Sequence, residues 1–158
     1  MNNKKNILEI AQNSILSQSK SIAKLTDFLD DNFINATESI YNCKGRLVVT
    51  GIGKSAIIAQ KIVATMNSTG TPALFLHASE AIHGDLGMVQ ADDIIICISK
   101  SGNSPEIKVL VPLLKRFGNT LIAITGNMTS FLAKESHYVL NTTVDSEACP
   151  NNLAPTNS

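Results

Sequence analysis

A chain of 158 residues is long enough to bury a core without disulfide or metal staples. Its 44% hydrophobic and 16% charged content exclude a disordered segment, and 13 basic residues balance 13 acidic ones. With no basic cluster and no stretch near the ~18 apolar residues of a membrane span, the reading is a cytoplasmic protein engaging neither nucleic acid nor membrane.

The three cysteines, Cys43, Cys97 and Cys149, are widely spaced, so neither a zinc knuckle nor a thioredoxin motif is supported. The start, Met1 to Lys5, runs into an amphipathic pattern rather than a continuous apolar h-region, so no signal peptide is expected. Residues 4–43 are helical in character: they lack Pro and Gly, and Ile7, Ile10, Ile15, Ile22, Leu25, Phe28 and Leu29 form a stripe facing a partner surface. Asp30-Asp31-Asn32 divides this region into two helices, the second running through Phe33, Ala36 and Ile40 until Gly45 stops it.

From Arg46 the texture changes. Leu47-Val48-Val49, Ala73 to Leu76, Ile94 to Ile98, Leu121 to Ile124 and Tyr138 to Leu140 are short apolar runs without alternation, as in a parallel sheet buried on both faces. Helices are predicted between them at 55–67, 79–82, 105–117 and 130–135. The implied fold is one α/β domain over residues 1–158: a three-layer αβα sandwich on a five-stranded parallel, flavodoxin-like sheet, preceded by N-terminal helices. Its α/β core covers 46–150. Asn151 to Ser158 has the capping residues and proline of a helix start, so a C-terminal helix is expected and is missing from these residues.

Ligands of such sheets bind beyond the carboxyl ends of the strands. Gly51-Ile52-Gly53-Lys54-Ser55 follows a strand and opens a helix. Gly51, Gly53 and Ala56 fit a loose dinucleotide fingerprint, but Leu76-His77-Ala78 stands where the ribose-binding acid belongs, with Glu80 arriving late. A Walker A loop needs a glycine where Val48 stands. Two readings are left: a tight turn with an exposed lysine, or Lys54 at the mouth of a site for an anionic ligand.

Ser99-Lys100-Ser101-Gly102-Asn103-Ser104 is more informative. Ser99, Ser101 and Ser104 place three hydroxyls within six residues, with Ser104 predicted as N-cap, Pro105 at N1 and Glu106 at N2. Free amides, hydroxyls and the positive end of a helix dipole make a metal-free phosphate cradle, whereas a cap alone needs one serine. Glu106 at N2 complements the dipole, but beside a bound phosphate it meets repulsion, which points to proton transfer. Glu147 follows the last strand at the same edge, where a loop carboxylate is either solvated or functional. His77 and His83 are not at zinc spacing and read as neutral hydrogen-bonding groups, with His83 within reach of a sugar hydroxyl. His137, before a strand, reads as structural.

Gly51 to Ser55, Ser68-Thr69-Gly70-Thr71-Pro72, His83 to Met88, Ser99 to Glu106, Glu147-Ala148-Cys149-Pro150 and Leu153-Ala154-Pro155-Thr156 together resemble the sugar isomerase (SIS) domain family. Within it, the His83 and Glu-Ala-Cys-Pro segments are similar to D-arabinose 5-phosphate isomerases. The resemblance implies interconversion of D-ribulose 5-phosphate and D-arabinose 5-phosphate through an enediolate, the first step toward the octulosonate sugar (Kdo) of lipopolysaccharide. It implies catalytic roles for Lys54, Glu106 and Glu147, and substrate contacts from Ser55, Gly70, Thr71, His83, Ser99, Ser101 and Ser104. It requires no cofactor, places an inhibitory or structural zinc at His77, and implies a homotetramer with active sites near subunit contacts. The family continues past Thr156 into a further serine/threonine-rich turn, a helix and another catalytic histidine, and commonly has serine where Asn157 stands. Weak or no turnover is therefore expected of residues 1–158 alone. The rival readings are a non-catalytic sugar-phosphate sensor and an isomerase of another phosphosugar, such as a heptose or hexulose.

Overall fold

The structure is a computed structural model describing residues 2–149, 151 and 154–158, with side chains from residue 6. Pro150 and Leu153, which belong to two of the motifs above, and Asn152 lie outside the described residues. Two helices lead in: α1 (Asn2–Lys24), continued by a 3-10 turn at Leu25–Phe28, and α2 (Asp31–Tyr41). Asp30 divides them as expected, because its carboxylate accepts the Asn32 and Phe33 amides at the start of α2. The other end differs from expectation: α2 stops at Tyr41 with Asn42 as its C-cap, before Gly45 is reached.

Then follow β1 (Leu47–Gly51), α3 (Lys54–Ser68), β2 (Ala73–His77), α4 (Ala78–Ile82), β3 (Ile94–Ile98), α5 (Pro105–Arg116), β4 (Thr120–Thr125), α6 (Phe131–Glu135) and β5 (Tyr138–Asn141). All strand pairs are parallel, in the order β2-β1-β3-β4-β5. This is the expected flavodoxin-like sheet. The strand sequences are apolar throughout because successive side chains enter two different cores. Val48, Leu76, Ile95, Cys97 and Leu121 pack under Ile107, Leu110, Val111 and Leu114 of α5. Leu47, Val49, Ile96 and Ile122 pack on the other face with Ala36 of α2 and Ala59 of α3.

Right-handed crossovers dictate that distribution. The step from β1 out to β2 puts α3 on one face; the return to β3 and the march to β5 put α5 and α6 on the other. The chain thus reverses direction between β1 and β3, and a crevice opens between the carboxyl ends of those two strands.

The apolar stripe of α1 finds no surface among the described residues. Ile7, Ile10, Ile15 and Ile22 are 59–67% exposed. α1 is held to the body by polar stitches: Gln18 donates to the Thr156 carbonyl, the Asn157 amide group donates to Ser17 Oγ, and Lys24 pairs with Asp145. Among the described residues, no helix is long and apolar enough to cross a membrane. Residues 154–158 are irregular, with bends at Ala154 and Thr156.

Candidate functional site at the sheet's reversal point

Both turns singled out in the sequence border the β1/β3 crevice. Gly51 ends β1, and Gly53, with φ of +58°, caps α3 in a backbone region that side chains disfavour. Lys54 is the first residue of α3, exposed, with no acid in that first turn. A cation at the positive end of a helix dipole works against the helix. Its placement makes sense when an anion occupies the crevice. Ser55 follows on the same turn, partly buried.

The serine turn leaves β3 at the neighbouring position. Ser99 is buried, and its Oγ accepts the Gly102 amide at 3.1 Å, so this hydroxyl holds the turn itself. Ser101 is exposed and accepts the Asn103 amide at 3.4 Å. The Asn103 Oδ1 accepts the Phe131 amide at 2.9 Å, which ties the turn to α6. Ser104 is the N-cap residue of α5 in position but not in bonding: its side chain makes no capping hydrogen bond, and its Oγ is buried without any partner. Pro105 at N1 has no amide to offer, and the Glu106 and Ile107 amides have no acceptor within the helix. A hydroxyl without a partner beside free amides is the arrangement an oxyanion would complete.

The two glutamates differ sharply. Glu106, on the first turn of α5, is partly exposed and has neither an ion-pair nor a hydrogen-bond partner among the described residues. Glu147 has a side chain only 3% exposed and is saturated. Its Oε2 accepts the Thr156 amide at 2.6 Å, the Thr156 hydroxyl at 3.1 Å and the Asn157 amide at 2.7 Å. Its Oε1 accepts the Ser158 hydroxyl at 2.5 Å and pairs with Lys100. Burial pushes the Glu147 carboxyl up, but the Asn157 amide, Lys100, the Ser158 hydroxyl and the Thr156 amide outweigh it and hold the group well below the usual carboxylate range.

Sequence reasoning missed Lys100. Its partner lies 47 residues away, a separation no local pattern reveals; the one available signal was a lone lysine inside a serine-rich phosphate turn.

His77 ends β2 at the carboxyl edge, with its ring edge-on to Phe75 and Nδ1 buried without a partner. Zinc asks for three or four ligands. Among the described residues, no three His, Cys, Asp or Glu side chains converge as a metal group. His83 ends α4 and is exposed.

Gly70 and Thr71 are not brought to the serine turn. They follow the far end of α3 and precede β2, at the amino edge of the sheet, separated from the β3 tip by roughly 13 Å of strand. There they line a cavity of about 800 Å³ between α2 and α3, over Ile96, Ile124 and Leu140. Its lining carries no charged side chain, which suits an apolar occupant rather than a phosphate.

Residues 39–158 match the family model of the SIS domain. A Haemophilus influenzae protein named "Probable arabinose 5-phosphate isomerase" is 51% identical over 153 residues, covering 97% of this chain and 45% of the relative. Arabinose 5-phosphate isomerase KdsD of Pseudomonas aeruginosa is 47% identical over 148 residues, 94% of this chain and 45% of its own. The chain therefore spans about half the length of the curated relatives it matches. A solved Escherichia coli CFT073 protein in complex with arabinose 5-phosphate superposes with a TM-score of 0.93 at 40% identity, over 100% of this chain and 84% of that one.

Proposed function

Since this chain belongs to the SIS domain family, we propose that it binds a pentose phosphate in the β1/β3 crevice and carries the isomerase site that interconverts D-ribulose 5-phosphate and D-arabinose 5-phosphate, on the route to Kdo. The observation that carries this reading is the serine turn. Ser104 offers a buried hydroxyl with no partner, Ser101 an exposed one, and the free amides of α5 point the same way. Relatives named arabinose 5-phosphate isomerases support the choice of sugar.

Isomerisation takes a proton from C1 of the ketose, leaves an enediolate and returns a proton to C2, while a proton passes from O1 to O2. We assign the carbon-bound proton to Glu106, because its carboxylate is unengaged, and the developing oxyanion to Lys54. Ser55 lines the same turn as Lys54. Glu147 is the second carboxylate of this edge, kept ionised by its donors. No cofactor is needed for these steps. Gly70 and Thr71, at the opposite edge, and the exposed His83 serve the site of a neighbouring copy in a homotetramer. The uncovered stripe of α1 supports such an assembly.

Two variants test the reading. Ser101→Ala with Ser104→Ala lowers arabinose 5-phosphate affinity by at least about tenfold in calorimetry, equivalent to the loss of roughly one charge-assisted hydrogen bond. Glu106→Gln abolishes the residual ribulose 5-phosphate turnover of the chain, followed at high protein concentration, and spares arabinose 5-phosphate binding. Unchanged affinity in the double variant refutes the site, and unchanged turnover in the second refutes the base.

A further inference from the structure

Lys100 joins three loops of the carboxyl edge. Its backbone belongs to the serine turn after β3. Its carbonyl accepts the Gly126 amide at 3.1 Å and the Thr125 hydroxyl at 3.2 Å, which fixes it to the turn after β4. Its stem passes over Gly126, and its ammonium ends on Glu147 in the loop after β5. Glu147 in turn gathers the Thr156 and Asn157 amides and the Ser158 hydroxyl. Among the described residues Lys100 is the only charged side chain bonded to Glu147; the nearby Asp145 is engaged by Lys24 on α1. Lys100 is half-exposed, whereas Glu147 is enclosed. An enclosed carboxylate deprived of its one cation is a costly arrangement, so the orientation of Glu147 depends on the lysine more than the lysine depends on it.

We propose that Lys100 is a positioning residue: from within the phosphate-binding turn it holds the Glu147 carboxylate ionised in a single orientation and, through it, seats residues 154–158 against the carboxyl edge. A role in turnover rests on the isomerase reading above; the tie itself does not. It also keeps the negative charge of Glu147 neutralised beside a site built for a phosphate. Mobility at the serine turn is thereby coupled to the last loop of the sheet, with no contact between Lys100 and the reacting carbons required.

The experiment follows the Glu147 side-chain carboxyl by carbon NMR across pH in the unsubstituted chain, Lys100→Met and Lys100→Arg. In the unsubstituted chain no midpoint is expected near the ordinary value of about 4.3. Lys100→Met raises the midpoint by about one unit or more and speeds exchange of the Thr156 and Asn157 amides, while Lys100→Arg restores both. The Lys100 ammonium resonance of the unsubstituted chain moves with the Glu147 titration, a reading that needs no variant to fold. An unchanged midpoint in Lys100→Met, or an ammonium signal indifferent to Glu147, overturns the proposal. None of these measurements uses a sugar. Absent arabinose 5-phosphate binding with the tie intact therefore counts against the site reading, and an absent tie in a chain that binds the sugar counts against this one.

Discussion

Gly102 shows how narrowly the serine turn is specified. Its φ of +62° is a region L side chains disfavour, and a Cβ there would run into the Ser130 side chain. Ser130 has no freedom to retreat, since it is buried and its hydroxyl accepts the Ala133 amide at the start of α6. Gly102→Ala is expected to destabilise the chain by about 3 kcal/mol, strain and clash together, read as a lower urea midpoint at unchanged slope. At this scale the sequence was a good guide to place and a poorer one to bonding. Serine before proline correctly marked the N-cap position of α5, yet the side chain of Ser104 turns inward and caps nothing. The Ser99 hydroxyl accepts the Gly102 amide and so also closes its own turn. Identity and spacing locate a hydroxyl; which amide it meets depends on rotamers set by neighbours distant in sequence.

At the scale of elements, the amino edge of the sheet is locked by a network that no motif announced. Asp93, with a fully buried side chain, accepts the Arg46 amide at 2.8 Å, the Arg46 guanidinium at 2.8 Å and the Gln90 amide at 2.9 Å. The Asn119 side chain closes the edge, donating to the carbonyls of Gln90 and Asp93 at 2.8 Å each. The strands were legible because their apolar runs are local. This clasp was not, because Arg46 and Asp93 are 47 residues apart and meet only after β1 and β3 pair. Burial pushes the Asp93 carboxyl up, but Arg46 and the Gln90 amide outweigh it and leave it below the ordinary value. A carboxyl lowered in the folded state stabilises above its unfolded value of about 3.9 and loses that contribution as pH falls through the folded one. Asp93→Ala should therefore cost about 3 kcal/mol at neutral pH, and its deficit against the unsubstituted chain should shrink below about pH 4. Urea unfolding at both pH values checks the sign; a deficit that is constant with pH would assign the cost to packing alone.

Over the whole molecule, the site as described is one-sided. The β1/β3 crevice brings Lys54, Ser101, Ser104 and Glu106 to one edge, while Gly70 and Thr71 stand at the other. The turns after β1 and β3 could be placed at the carboxyl edge from sequence, whereas Gly70 and Thr71 entered only as substrate contacts; α3 carries the chain to the opposite edge between Lys54 and Gly70. A single copy does not reunite them; the homotetramer proposed above would supply them from a neighbouring copy. The α1 stripe faces no surface among the described residues, where Ile15 and Ile22 are 65% and 67% exposed. Burying one such side chain is worth about 1.5–3 kcal/mol, so removing two from each copy should weaken self-association by well over about 100-fold. Ile15→Asp with Ile22→Asp is therefore expected to convert the proposed tetramer into smaller species in sedimentation velocity. Its unfolding midpoint, extrapolated to low protein concentration, should match that of the unsubstituted chain, since neither side chain touches the sheet's two cores. Sedimentation unaffected by both aspartates would remove α1 from the subunit contact and, with it, this route by which Gly70 and Thr71 reach a sugar.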